Sequence, residues 1–243
     1  MSKLLRSIRQ KDKLAPLLNA YFAAGEFPDE MPATIHPNKP PDKHYHPSSA
    51  GECARHSFAL RVGDVKPEPI SGSLQRIFHV GHLYHAWIQF ILVDMGLAEP
   101  SAIEKKYKRD LVTDAGNKWR MTGATDVARC SIAGHGDYLV DIKTMGGFSF
   151  KQENMRPDMW YKYHSQIQVY MDWHDMDQAL ILGVNKDTPH DFREWEIKRD
   201  PSVADAVYEK WETVADAVVA DLPPNCTCSD PTACPVRGLY VTK

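Results

Sequence analysis

The sequence predicts an α/β protein with a mixed central sheet, and three observations carry that expectation. A helical pattern comes early, three strand-like segments joined by short turns follow it, and a second helix separates these from two further strands. Strands that succeed one another through tight turns pair antiparallel, whereas a strand reached through a helix can run parallel to its predecessor. The order therefore argues for a mixed sheet flanked by helices rather than a doubly wound parallel one.

Each element has its own signal. Leu4, Leu5, Ile8, Leu14, Leu17, Leu18, Tyr21 and Phe22 have a mostly helical spacing, interrupted by Pro16, and predict an N-terminal helical arm. From Phe27 to Ser49 the composition shifts to six prolines, which reads as an extended, poorly structured connection. Between Leu74 and Met95 the residues Ile77, Phe78, Leu83, Trp87, Ile88, Ile91, Leu92 and Met95 recur mostly at three and four, as in a buried amphipathic helix that Gly96 stops. Ile103–Thr113, Trp119–Ile132 and Tyr138–Lys143 are strand-like, with the turn Gly134-His135-Gly136-Asp137 between the last two, and so form a meander. A helix over Asp158–His174 and strands over Ala179–Val184 and Arg193–Ile197 follow. Asp200 and Pro201 supply a cap and a first position for a last helix, which ends before Pro223-Pro224. No internal repeat is seen.

A chain of 243 residues, 43% hydrophobic and 25% charged, suits one substantial core. Its apolar runs fall far short of the ~20 residues needed to span a bilayer. The basic segment Met1–Lys13 lacks an apolar h-region, so neither a membrane span nor a secretory signal is expected, and a cytoplasmic location is. The net charge of -3 and a pI near 6.4 give no global electrostatic reason to expect nucleic acid. Positive charge is local, in Lys105, Lys106, Lys108 and Arg109 and in Lys143, Lys151, Arg156 and Lys162. Such runs are also what an ordinary solvated face looks like.

The candidate chemistry lies at the end of the third strand. Asp141 and Lys143, two apart, project from one face, and Asp126 on the preceding strand can be brought beside them by antiparallel pairing. Phosphodiester hydrolysis needs an activated water and relief of charge on phosphate, and hard divalent cations favour oxygen ligands. Asp126 and Asp141, with the Ile142 backbone carbonyl, fit a Mg²⁺ or Mn²⁺ site, with Lys143 orienting the water or stabilising the transition state. A surface hairpin with an ordinary Asp-Lys pair has the same local sequence.

Four ordered segments add to this pattern. They are Gly81-His82-Leu83-Tyr84-His85, Gly123-Ala124-Thr125-Asp126, Asp141-Ile142-Lys143 and Gln166-Ile167-Gln168-Val169-Tyr170. In this order they resemble the Gly-x-x-x-His, Gly-x-x-Asp, (Asp/Glu)-x-Lys and Gln-x-x-x-Tyr motifs of the RecB-like nucleases in the PD-(D/E)XK superfamily. The resemblance spans about Gly51 to Cys234. It implies a restriction-endonuclease-like core, His85 as a metal ligand beside Asp126 and Asp141, and Gln166 and Tyr170 as site residues. A His-Asp-Asp set hints at manganese. It further implies hydrolysis of DNA, as an exonuclease on single-stranded ends, with a double-strand recombination exonuclease or a catalytically weak DNA-end-binding subunit as the alternatives. Arg76, Lys151 and Lys162 are candidate phosphate contacts. Trp160, Tyr161 and Tyr163, interleaved with Lys162, are either stacking platforms or packing residues.

Of five cysteines, Cys130 falls in a strand and reads as a small buried side chain. Cys226, Cys228 and Cys234 lie in a Pro-rich tail able to wrap a metal centre, and Cys53 is far upstream. One upstream and three downstream cysteines resemble the [4Fe-4S] arrangement of the CRISPR-associated and AddB-type nucleases, although only Thr227 stands between the first two tail cysteines where the common family spacing has two residues. Zinc would use the same four ligands, and disulfides are disfavoured in a reducing cytosol. The expected organisation is an N-terminal arm and linker over 1–48, the nuclease core over 49–222, and a cluster-binding tail over 223–243. A stand-alone chain of this kind fits a phage or CRISPR-adaptation setting, in the host cytoplasm if phage-encoded, with recombination or CRISPR-adaptation proteins as partners.

Overall fold

The computed structural model describes residues 12–24, 44–66, 72–151, 157–188, 191–228 and 234–240. Three consecutive strands, β1 (Ile103–Val112), β2 (Lys118–Ile132) and β3 (Gly136–Met145), pair antiparallel as the expected meander. Gly134 and Gly136 have φ of 77° and 93°, which lets the chain reverse between β2 and β3. A short helix, α4 (Gly147–Lys151), and the long α5 (Pro157–His174) then carry the chain to β4 (Gln178–Asn185), which is parallel to β3. β5 (Phe192–Lys198) closes the sheet antiparallel to β4, giving the order β1-β2-β3-β4-β5. The architecture is the expected α/β fold, a mixed sheet flanked by helices.

Helices cover both faces. α1 (Ala15–Ala23) and α3 (Gly72–Asp94) pack Leu14, Leu18, Ile88, Ile91 and Leu92 against Val127, Val140 and Leu182. On the opposite face α5 sets Ile167, Tyr170 and Met171 against Leu139 and Ile181. A third cluster joins α2 (Ala54–Val62) and α6 (Pro201–Ala220) to the far end of β2 through Phe58, Trp119, Met121 and Trp211, and takes in Cys53, Cys234 and Tyr240. At about 25 cal/mol per Å² of apolar surface, fully burying a side chain such as Phe58 contributes roughly 1.5–3 kcal/mol.

Several expectations change in detail. Pro16 does not interrupt α1; it sits in the first turn, where a missing N–H leaves no bond unmade. Residues 1–11, expected to extend that arm, lie outside the described residues. The amphipathic stripe of α3 is buried in its second half only. Ile77, Phe78 and Leu83 are 49%, 43% and 47% exposed, because the apolar packing onto β2 and β3 is made by residues from Tyr84 onward. Most of the Phe27–Ser49 connection lies outside the described residues. Its last six residues are docked and end in a 3-10 turn over Pro47–Ser49: Tyr45 pairs with β2 at Met121 and is buried between Trp119 and Trp211. Helices α2 and α4 had no clear periodic signal, since α2 buries Ala54, Ser57, Phe58 and Ala59 rather than an apolar stripe.

The helix stops behave as their sequence suggests. Gly96, with φ of 67°, follows α3, and Asp200 accepts the Ser202 N–H at 3.1 Å to cap α6. No helix among the described residues is long and apolar enough to cross a membrane.

Candidate active site and candidate metal centre

The site forms where the sheet forks. The β2–β3 register reaches Val127↔Val140 and stops, so that Asp126, next in line, would stand opposite Asp141. The two strands part there instead. β3 continues along β4, β2 continues along β1, and the Asp126 carboxylate takes the place of a ladder acceptor by accepting the Ile142 N–H at 2.7 Å.

Three further side chains converge on this fork. His85 Nδ1 lies 3.4 Å from Asp126 Oδ2. It is delivered by the half of α3 that packs on the sheet, and Gly81 lets α3 come close, because a Cβ there would sit 3.1 Å from Thr144 Oγ1 of β3. Asp141 and Lys143 share a face as their spacing predicts, with Lys143 Nζ 2.6 Å from Asp141 Oδ2. Asp141 Oδ2 is buried, and the Lys143 ammonium is its charge partner. Lys143 Nζ also stands 5.0 Å above the Tyr163 ring.

Burial works against the charge on Asp126, but His85, Lys143 and the Ile142 N–H outweigh it and hold the carboxyl below its usual range. Asp141 is pushed up by burial and by the neighbouring Asp126 charge, against the pull of Lys143. Burial disfavours the charged forms of Lys143 and His85, yet the carboxylates prevail and raise both. Two carboxylates and an imidazole that act on one another's charge are the ligand types a divalent cation takes, although their ligating atoms are not gathered as tightly as the four thiols described below.

Gln166 and Tyr170 lie one turn apart on α5, both buried, with Gln166 Nε2 3.4 Å from the Tyr170 hydroxyl. Burial, and the Asp141 charge after it, raise the Tyr170 hydroxyl far above its usual range, so it stays protonated. The α5 residue that touches Lys143 is Tyr163, which sequence reasoning treated only as part of an aromatic run. Gln89 and Glu104 were not anticipated either: Gln89 Nε2 donates to Glu104 Oε1 at 2.8 Å and to the Asp126 carbonyl at 3.1 Å. Gln89 lies four residues beyond His85, on the same helical face, and that spacing is the signal that marks it. Of Ile142, it is the N–H that the structure brings onto Asp126. Arg76, Lys151 and Lys162 are exposed, on the first half of α3, the end of α4 and the start of α5. Trp160 lies near His164, with ring centres 5.9 Å apart, whereas Tyr161 is 60% exposed.

A second site lies in the third core cluster. Cys53, Cys226, Cys228 and Cys234 bring their sulfurs within 4.8 Å of one another, the one such group of ligating side chains among the described residues. Cys53 is the N-cap of α2. Burial opposes its ionisation, but the His56 backbone N–H and the contacts with Thr227, Cys228 and Cys226 prevail and bring its thiol down to about 6. Burial and neighbouring cysteines raise Cys228. The single spacer Thr227 is itself structural, since its hydroxyl accepts the Ala54 N–H at 3.0 Å and caps α2. Arg55 Nε reaches the Pro224 carbonyl at 3.0 Å, and Lys210 donates to the Ala50 and Glu52 carbonyls beside Cys53. Cys130 stands apart in β2, fully buried, and burial pushes its thiol up to about 12, as a packing residue requires.

No family model and no curated protein matches this chain. Among solved structures it is similar in fold to SSO0001, with 14% identity, 81% of this chain and 85% of that chain covered, and a TM-score of 0.50. An alkaline exonuclease, LHK-Exo, from Laribacter hongkongensis is 12% identical over 73% of this chain and 89% of its own, with a TM-score of 0.44. A phage related exonuclease from Haemophilus somnus 129PT is 17% identical over 76% and 91%, with a TM-score of 0.42. At 14% identity the first of these likenesses concerns the fold alone, and the other two are too distant to bear on activity.

Proposed function

We propose that the protein is a divalent-metal-dependent DNA nuclease acting as an exonuclease on single-stranded ends. The observation that carries this reading is the fork between β2 and β3, which brings His85 onto Asp126 and Lys143 onto the buried Asp141, so that two carboxylates, an imidazole and an ammonium gather at one break in the sheet. Asp126, Asp141 and His85 would hold the cation, with the Ile142 carbonyl as a fourth ligand. Bound there, Mn²⁺ or Mg²⁺ makes water a better nucleophile and offsets charge on the scissile phosphate. Lys143, kept protonated by Asp141, orients the attacking water and stabilises the negative charge that gathers on the phosphate. Tyr163 keeps the ammonium aimed, and the Gln166–Tyr170 pair holds α5 against that side. Arg76, Lys151 and Lys162 would meet backbone phosphates, with the exposed Tyr161 ring as a stacking surface.

The reading is tested with labelled single- and double-stranded DNA, free or blocked at each end, incubated with Mn²⁺ or Mg²⁺. Loss of nucleotides from free single-stranded ends is expected, abolished by EDTA and in Asp141→Ala. Undiminished cleavage by Asp141→Ala sinks the site assignment. Faster digestion of duplex moves the assignment to a recombination exonuclease, and binding without cleavage to an end-binding subunit that serves recombination or CRISPR-adaptation proteins.

The four thiols are proposed to hold a metal that pins the tail to the nuclease core. The resemblance implies a [4Fe-4S] cluster. The sulfur spacing within 4.8 Å favours a single ion: Zn–S bonds of ≈ 2.3 Å set tetrahedral sulfurs about 3.8 Å apart, whereas a cubane spreads its four thiolates wider. Anaerobic purification with iron, sulfide and zinc assays separates the two. Stoichiometric zinc in a colourless protein removes the cluster.

A further inference from the structure

We propose that Gln89 and Glu104 form a positioning bracket that sets the Asp126 carboxylate for its cation. The inference rests on the reading of the fork as a metal site and adds two residues to it.

Asp126 stands at a break in two ladders. The β1–β2 pairing runs unbroken from Val112↔Lys118 to Lys105↔Thr125 and resumes at Ile103↔Val127, so Glu104 and Asp126 face each other at the gap. Glu104 has φ of 47° there, a left-handed conformation that residues with a side chain rarely adopt. On the other side the β3 register begins only at Val127, next to a bulge. Both registers therefore skip the residue that the site depends on most.

Gln89 occupies this break. It is 5% exposed, and its amide nitrogen donates at 2.8 Å to Glu104 Oε1 and at 3.1 Å to the Asp126 carbonyl, using both of its N–H groups. Helix α3 thus grips Asp126 at two points, the carbonyl through Gln89 and the carboxylate through His85 one turn earlier. Two anchors fix the rotation of the Asp126 carboxylate about its backbone, and Glu104 fixes Gln89. Alanine at position 89 leaves two acceptors without their donor, and glutamate sets oxygen against oxygen.

The test is Mn²⁺ binding to the protein without DNA, read from the electron paramagnetic resonance of free Mn²⁺, alongside cleavage kinetics and thermal melts. Gln89→Ala and Glu104→Ala are expected to bind Mn²⁺ about 10-fold more weakly or worse, with kcat lowered and KM for DNA unchanged. Glu104→Gln, whose amide oxygen still accepts from Gln89, is expected to stay within about 2-fold of the parent. Wild-type Mn²⁺ affinity in Gln89→Ala overturns the bracket. So does an equal loss in Glu104→Gln and Glu104→Ala, which would make Glu104 a ligand. If Gln89→Ala fails to fold, the Glu104→Ala and Glu104→Gln pair decides the question. A parent protein that binds Mn²⁺ yet leaves DNA intact refutes the nuclease reading, while the titration still judges the bracket.

Discussion

Lys143 and Asp141 touch through unlike charges in a buried place, and a cation entering the fork must share Asp141 with that ammonium. Replacing Lys143 by Met therefore separates two effects. Cleavage is expected to fall about 100-fold or more, because the positive group proposed to face the phosphate is gone. Mn²⁺ affinity is expected to hold or tighten, because a competing charge is gone with it. Equal losses of affinity and rate in a titration-plus-kinetics comparison would refute that division. The strain at Glu104 belongs to the same scale. A left-handed residue other than glycine costs about 1–3 kcal/mol, a cost natural chains retain mostly where function holds it in place. Asp141 and Lys143 were legible because a period of two fixes their common face, and His85 because its distance from Gly81 matches a motif. Gln89 was not, because on a helical pattern a buried amide looks like a polar flaw in an apolar stripe. Tyr163 was hidden among aromatic neighbours, and only the path of α5 singles it out.

At the level of elements, α1 is held by a residue some 180 positions away. The N–H groups of Lys13, Leu14 and Ala15 all donate to the Glu194 carboxylate on β5. Local sequence therefore could not reveal this cap, although the apolar spacing of Leu14, Leu18 and Tyr21 did reveal the helix. Glu194→Ala is expected to cost about 1–2 kcal/mol. Hydrogen exchange should show the loss in α1 while β3 and β4 stay protected; uniform loss across the sheet would be the contrary result. Burial raises Glu194 above its ordinary 4.5, despite the three donors. A carboxyl whose folded pKa exceeds its unfolded one favours folding when protonated. Its contribution is full below the unfolded value and is lost as pH rises through the folded one. Protection of α1, corrected for intrinsic exchange, is thus expected to rise from pH 7 to 5. The meander was legible for a related reason: alternation and turn glycines are local, and the antiparallel run from β1 to β3 follows from them. The fork itself was not, since it depends on where two ladders end.

For the molecule as a whole, the four-cysteine centre ties α2 to the tail across 173 residues, from Cys53 to Cys226. Closing a loop of that length stabilises a fold by up to about 5 kcal/mol if the centre acts as a cross-link. Cys53→Ser, or treatment with a chelator if the centre holds a metal, is expected to lower the melting temperature and expose the chain around Cys226 and Cys228 to protease. Metal-dependent cleavage should survive at temperatures where the core stays folded, because the thiols and the fork lie in different clusters. Complete loss of activity in a folded Cys53→Ser protein would show that the two centres are coupled. The grouping of these cysteines was visible in the sequence as three in a tail and one far upstream. The role of Thr227 was not, since a one-residue spacer looks like a departure until its hydroxyl is seen capping α2.

That long span also gives the centre a place in time. Cys53 leaves the ribosome 181 residues ahead of Cys234, which at 5–20 residues per second is a delay of roughly 10–40 s. Throughout this interval Cys53 waits at the start of a helix whose capping partner, Thr227, has not been made, and without the contacts to Thr227, Cys226 and Cys228 that lower its thiol in the finished fold. A metal held by the proposed centre would therefore be enclosed only after the core is complete, and a nascent chain stalled short of Cys234 would present Cys53 without its full ligand set.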